Sequence, residues 1–188
     1  MPRIASFLAI ASLVLLAGCS ADTGKAPATQ ANADAAHAST SAHATLKATS
    51  NSHVSGQLAF VAVDDGVHIT GQVNGLKPDS THGFHLHANG NCQAPDASSA
   101  GGHFNPADVP HGHPGTKPHH AGDIPNQHAD ASGVATVDVV VPNVQLGTGS
   151  DTDILGRAVI VHAQPDDYTS QPSGAAGPRI ACGVITQG

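Results

Sequence analysis

The sequence predicts an all-β protein, and three observations carry that prediction. Past residue 42 the apolar residues recur in short runs, alternating or β-branched; Gly- and Pro-rich turns separate the runs; and no stretch shows helical periodicity over a convincing length. Short strands joined by such turns build a sandwich or barrel of Greek-key type. Aromatic content is only 3%, with no Trp, so the core must be made from Val, Ile, Leu and Ala. The 188 residues suffice for one ordinary domain plus extras.

Taken in order, the chain begins with an export signal. Arg3 supplies a positive start, Ile4 to Leu16 is almost wholly apolar but too short to span a bilayer comfortably, and the small residues Ala17 and Gly18 precede Cys19. The cluster Leu15-Leu16-Ala17-Gly18-Cys19 resembles a bacterial lipobox. That resemblance implies a signal peptide over residues 1–18 and a lipid-modified Cys19 as the first residue of the mature chain, anchoring it to the cell envelope. Ser20 points to the outer membrane. Residues 19–42 are mostly Ala, Thr, Ser, Asn and Asp, which cannot bury enough surface to offset ordering entropy, so they are expected to form a flexible tether.

The folded part is placed at residues 43–188. Residues 43–49 and 54–63 are rich in small and β-branched residues, and Asp64-Asp65-Gly66 turns the chain into Val67 to Val73, a hairpin. Gly75 and Pro78-Asp79 precede a strand containing Gly83-Phe84-His85-Leu86-His87. On a strand, His85 and His87 share one face while Phe84 and Leu86 take the other. Later runs at 134–141, 158–163 and 180–185 complete the strands read directly. Between Cys92 and Gly133 lies a connection far longer than usual, expected to be a functional loop; it carries His103, His111, His113, His119, His120 and Asp123.

Net charge is −7, which argues against non-specific nucleic-acid binding. The anomaly is 14 His, most of them between His82 and His162. Three imidazoles with one carboxylate suit zinc, and imidazole-rich sets also suit copper. His53, His68, His82 and His128 read as surface residues, and His37 and His43 as solvated. If Cys19 is lipidated, Cys92 and Cys182 remain. In an oxidising compartment they form a disulfide, worth about 4 to 5 kcal/mol in the loop-entropy model; two thiolate metal ligands are the competing reading.

Five stretches, in this order, resemble the copper-zinc superoxide dismutases: Gly-Phe-His-x-His at 83–87, Gly-His-Phe-Asn-Pro at 102–106, His-x-Gly-Asp at 120–123, Val-His at 161–162 and Arg-x-Ala-Cys-Gly-Val-Ile at 179–185. The insert between Cys92 and His103 resembles the bacterial periplasmic branch. The likeness spans residues 43–188 and implies an eight-stranded Greek-key β-barrel. It implies copper on His85, His87, His103 and His162, and zinc on His103, His111, His120 and Asp123, with His103 bridging the two ions. Asp166 would accept hydrogen bonds from a copper His and a zinc His, and Arg179 would attract the anionic substrate. The implied reaction is dismutation of superoxide to dioxygen and hydrogen peroxide, with His103 and Arg179 as the catalytic residues. Bacterial relatives occur as monomers and homodimers, so either state is compatible. A rival from another class is an exported copper and zinc buffer without catalysis.

One departure stands out. The segment 169–178, where the family carries a charged guidance loop, has neither Lys nor a carboxylate. From His53 onward Asp outnumbers Lys plus Arg three to one. Arg179, Lys117 and the metals are left to provide a local positive field.

Overall fold

The computed structural model describes residues 40–188. The signal peptide, Cys19 and most of the tether lie outside the described residues. The strands are β1 (Ser41–Ala48), β2 (Ser55–Val63), β3 (Gly66–Asn74), β4 (Thr81–His87), β5 (Asp123–His128), β6 (Ala135–Pro142), β7 (Ala158–His162), β8 (Arg179–Val184) and the short β9 (Thr186–Gln187). The one helical element among the described residues is a 3₁₀ turn, Ser98–Ala100.

All ladders are antiparallel, in the order β5-β4-β7-β8-β1-β2-β3-β6, with β9 on β1. β1 joins the two halves of the barrel. Its first part pairs with β2, and its end, Lys47 and Ala48, pairs with Cys182 and Ala181 of β8. β5 and β6 lie side by side without a ladder, so the eight strands make a nearly closed barrel.

Alternation explains the interior. Leu58 and Phe60 of β2, Val67 and Ile69 of β3, and Val137 and Val141 of β6 point inward and are buried. Each such side chain contributes roughly 1.5–3 kcal/mol by leaving water. Phe84 and Leu86 of β4 join this core, which leaves His85 and His87 on the opposite face. That face is not open to solvent. Ala97, Ala100, Ala158, Ile160 and Cys182 form a second apolar cluster, with Cys92 packed against it. β4 and β7 are consequently buried on both faces.

Two sequence expectations need correction. β1 begins at Ser41, so Ser41 and Ala42 belong to the barrel and not the tether; Ala42 is buried, but a lone Ala in a Ser/Ala/Thr run gives no strand signal. The long connection after Cys92 is also not one loop, because it contains β5. That strand, Asp-Ile-Pro-Asn-Gln-His, carries a Pro and little apolar alternation. Pro125 is tolerated there because the β4/β5 register shifts between His82 and Phe84.

Cys92 and Cys182 are disulfide-bonded, with Cα atoms 5.8 Å apart. The bridge ties the start of the long connection to β8 and closes off the thiolate-ligand alternative.

Candidate metal centre

His85 and His87 project from β4, whose partners on either side are β5 and β7. At the end of β7 a register shift between Val161 and His162 pairs His162 with Arg179 and leaves Ile180 as the extra residue of β8. Such a bulge re-aims side chains, and here it brings His162 and Arg179 to the same end of the barrel. His103 comes from the irregular segment, but its backbone is laid along β4. Phe104 N donates to Leu86 O at 2.8 Å and Ala88 N to Gly102 O at 2.9 Å. Gly122 closes this edge: a Cβ there would sit 2.9 Å from Phe104 N and collide with Leu86 O.

Four imidazole nitrogens meet at one point: His85 Nδ1, His87 Nε2, His103 Nε2 and His162 Nε2. All are buried and none has a hydrogen-bond partner. Each ring's other nitrogen is engaged. His85 Nε2 donates to Asp166 Oδ2 at 2.8 Å, His87 Nδ1 to Gly101 O at 2.8 Å and His162 Nδ1 to Gly177 O at 3.0 Å. An N–H committed to an outside acceptor fixes the tautomer and leaves the inward nitrogen as a bare lone pair. Burying four such lone pairs without a partner is costly. A soft-to-borderline cation removes that cost, so the residues fit an all-imidazole metal site.

The second set lies on the other side of His103. His103 Nδ1, His111 Nδ1 and His120 Nδ1 surround Asp123 Oδ1 at 2.8, 3.0 and 3.2 Å. Asp123 Oδ2 is turned away and accepts from the backbone N–H of His120 at 2.7 Å and of Gly112 at 3.2 Å. Three imidazoles and one carboxylate oxygen are the donor set of a closed tetrahedral site. His103 contributes one nitrogen to each set. His113 and His119 do not take part: His113 is exposed and packs on Tyr168, with ring centroids 4.4 Å apart, and His119 Nδ1 donates to its neighbour's carbonyl, His120 O, at 2.7 Å.

Asp166 ties the sets together. Its Oδ1 accepts from His111 Nε2 at 2.9 Å while its Oδ2 accepts from His85 Nε2. Several residues that hold this carboxylate were not singled out from sequence. Asn126 grips the segment in both directions, with Asp166 N donating to Asn126 Oδ1 at 2.8 Å and Asn126 Nδ2 donating to Asp166 O at 2.9 Å. Gln171 clasps the backbone of His111 in the same two-way manner, at 3.0 and 2.9 Å. Gly174 packs against Asp166 with φ of 67°. Nothing in a lone Asn, Gln or Gly signals such a role before the fold is known. His82 is a further correction to the surface assignment: it is buried, and its Nδ1 donates to His162 O at 2.8 Å. His53 and His128 are exposed, and His68 is half-buried.

Electrostatics follow burial. Burial, reinforced by neighbouring imidazoles, lowers the pKa of His162 to about 3 and that of His87 well below its usual value. Burial likewise brings His103 down to about 4, against the opposing hydrogen bond it donates to Asp123. For Asp123, burial pushes the carboxyl up, but hydrogen bonds from His103 and His120 outweigh it and hold the pKa well below the usual range. Asp166 is lowered in the same way, burial being outweighed by His85, the Tyr168 N–H and His111. The rings of His87, His103 and His162 are thus neutral, and Asp123 and Asp166 charged, near neutrality, the protonation states that metal binding requires.

Three of the four rings, those of His87, His103 and His162, line a cleft of about 410 Å³ whose rim includes Pro172, Ser173, Gly177 and Arg179, while His85 lies fully buried behind them. Arg179 is anchored by two carbonyls of the disulfide-tethered segment, Nη1 to Ala97 O and Nη2 to Gly101 O, both at 2.6 Å. A fixed guanidinium beside a converging set of imidazoles can receive a small anion.

An all-β barrel carrying two adjoining metal-ligand sets that share one imidazole defines a binuclear metalloprotein. Residues 54–185 match the family model described as copper/zinc superoxide dismutase. The chain is 43% identical over 125 residues to the superoxide dismutase-like protein YojM of Bacillus subtilis, an alignment covering 65% of this chain and 64% of that protein. It is 42% identical over 147 residues to superoxide dismutase [Cu-Zn] 2 of Aquifex aeolicus, covering 77% and 85% respectively. The crystal structure of a SOD-like protein from Bacillus subtilis superposes with a TM-score of 0.69 at 40% identity, covering 75% of this chain and 95% of that one. The protein belongs to the copper/zinc superoxide dismutase family, and copper and zinc are its cofactors.

Proposed function

We propose that this protein dismutates superoxide at the cell envelope. The observation that carries the proposal is the set of four buried, unpartnered imidazole nitrogens beside a cleft that His87, His103, His162 and Arg179 line. In this reading His85, His87, His103 and His162 hold copper, because an all-nitrogen set suits it. His103, His111, His120 and Asp123 hold zinc, whose preference for tetrahedral N/O donors they match. Copper bound there would supply a one-electron redox couple, and zinc would help hold the shared ring in place.

The protein's own residues then do the following. Arg179 receives the anion and orients it toward the imidazoles. Asp166 holds His85 and His111 at fixed angles through one carboxylate. His103 carries a proton on Nε2 between the two half-reactions: it takes the proton up as the first superoxide leaves as dioxygen and gives it up as the second becomes peroxide. One further proton from water completes hydrogen peroxide, so two superoxides and two protons yield one dioxygen and one peroxide.

The lipobox-like sequence ending in Cys19 supports export and lipid anchoring, with an outer-membrane position facing the periplasm. The disulfide supports an oxidising compartment. The test is a dismutase assay on purified protein before and after metal removal. Activity lost on chelation and restored only by copper supports the reading; full copper occupancy without activity overturns it.

The name of the Bacillus relative, superoxide dismutase-like, keeps the metal-buffer reading in play. A buffer would bind variable amounts of copper and zinc without turnover.

A further inference from the structure

The cleft over the free nitrogens is lined by one permanently charged side chain, Arg179, because its rim segment 169–178 contains neither Lys nor carboxylate. One acidic residue nevertheless sits beside the anchor of that guanidinium. Asp96 immediately precedes Ala97, whose carbonyl accepts Arg179 Nη1. Its carboxylate is exposed but not free to wander: Oδ1 accepts from Ser98 N at 2.9 Å and so fixes the side chain at the start of the 3₁₀ turn. Burial lowers the pKa of Arg179, and the Asp96 charge opposes that shift. A segment that could present two bare carbonyls to the arginine instead presents a full negative charge with them.

We propose that Asp96 sets the anion selectivity of the cleft, weakening capture of every anion by a factor that grows with the anion's charge, so that a singly charged diatomic is favoured over dianions such as hydrogen phosphate. The inference rests on the reading of Arg179 as the anion receptor beside a copper-loaded imidazole set. The physics is Coulomb's law with a fixed source. Taking a separation of about 10 Å in water as the working figure, one unit charge changes the affinity for a monoanion about two-fold, and for a dianion by the square of that factor, about four-fold. Both effects fade once the Debye length falls below the separation, at ionic strengths above about 0.1 M.

The competing role for Asp96 is a purely structural cap on the 3₁₀ turn. Charge and cap are separable, because Asn and Ser keep an acceptor for Ser98 N while removing the charge. Asp96→Asn and Asp96→Ser are therefore compared with the wild type as full chains loaded with copper and zinc, at pH 8 and an ionic strength of about 10 mM, where phosphate is mainly the dianion. Azide binding is followed by the copper–azide absorption band, and phosphate is titrated as the competitor. Both variants are expected to bind azide about two-fold and phosphate about four-fold more tightly, with both gains fading as a non-coordinating salt is added. Equal gains for the two anions, no gain, or a copper spectrum altered by the neutral variants would overturn the proposal. A wild-type protein that holds copper yet binds no azide would instead overturn the reading of the cleft as an anion receptor, and this inference with it.

Discussion

Gly174→Ala separates the cost of a strained backbone from the cost of disturbing Asp166. Gly174 has φ of 67°, where an L residue with a side chain loses about 1–2 kcal/mol. A methyl group there would also overlap the Asp166 carboxylate and lie 2.8 Å from His111 Nε2. Asp166 must then rotate and give up its bonds to His111 and His85. Losing a partner of this kind typically costs 10- to 100-fold in metal affinity, about 1.4–2.8 kcal/mol. Gly149 provides the control, with φ of 71° and nothing within 4 Å of the place a methyl group would take. Urea unfolding of the metal-free proteins should show both alanine variants destabilised by about 1–2 kcal/mol from the backbone alone. Zinc competition against a chromophoric chelator should show a 10- to 100-fold weakening for Gly174→Ala and none for Gly149→Ala. Equal zinc affinity in the two variants would refute the claim that Asp166 orients the site.

Four further outcomes are expected. The folded-state pKa values of His162 and His103, about 3 and about 4, lie below the ordinary value of 6.5. The unfolded chain therefore binds more protons in that interval, and this contribution to stability is complete above pH 6.5 and is lost as pH falls toward 3; urea midpoints of metal-free protein that stay flat or rise on acidification contradict it. Replacing both Cys92 and Cys182 by Ser should cost about 2–5 kcal/mol in chemical unfolding, and a loss under 1 kcal/mol would argue against a structural role for the bridge. Phe84→Ala, at a fully buried core position, should cost about 3–5 kcal/mol by the same measurement. Arg179→Ala should lower kcat/KM more than kcat, with the difference shrinking at high salt; unchanged kcat/KM at low salt rules out a capturing role.

The parts of this protein written as local patterns were legible in its sequence. Phe84 and Leu86 alternate with His85 and His87, so a strand assignment alone sends one pair to the core and the other to the site. β2, β3 and β6 have the same clarity. β5 was hidden because Pro125 and a polar composition mask a strand whose position comes from pairing with β4. Ser41 and Ala42 were hidden because Ala buries too little to announce itself. His82 illustrates a different difficulty: its sequence neighbourhood resembles a surface turn, and only the return of β7 past it supplies the carbonyl that its ring bonds. Asn126 and Gln171 act on residues 40 and 60 positions away, and Gly174 acts on Asp166 by close packing, through contacts that no spacing rule describes.

The shared imidazole divides the centre into halves with different mechanical support. His85, His87 and His162 grow from strands buried on both faces, so they can separate only if the barrel itself opens. His111 and His120 stand on irregular backbone that reaches the site through Asp123, Asp166 and Gln171. Local opening draws on the segments with the least regular hydrogen bonding. Hydrogen exchange in the metal-free protein should accordingly be fast across residues 107–120 and slow across β4 and β7. Metal release should follow the same order, with the carboxylate-containing half exchanging its ion first while the three strand-borne imidazoles keep theirs.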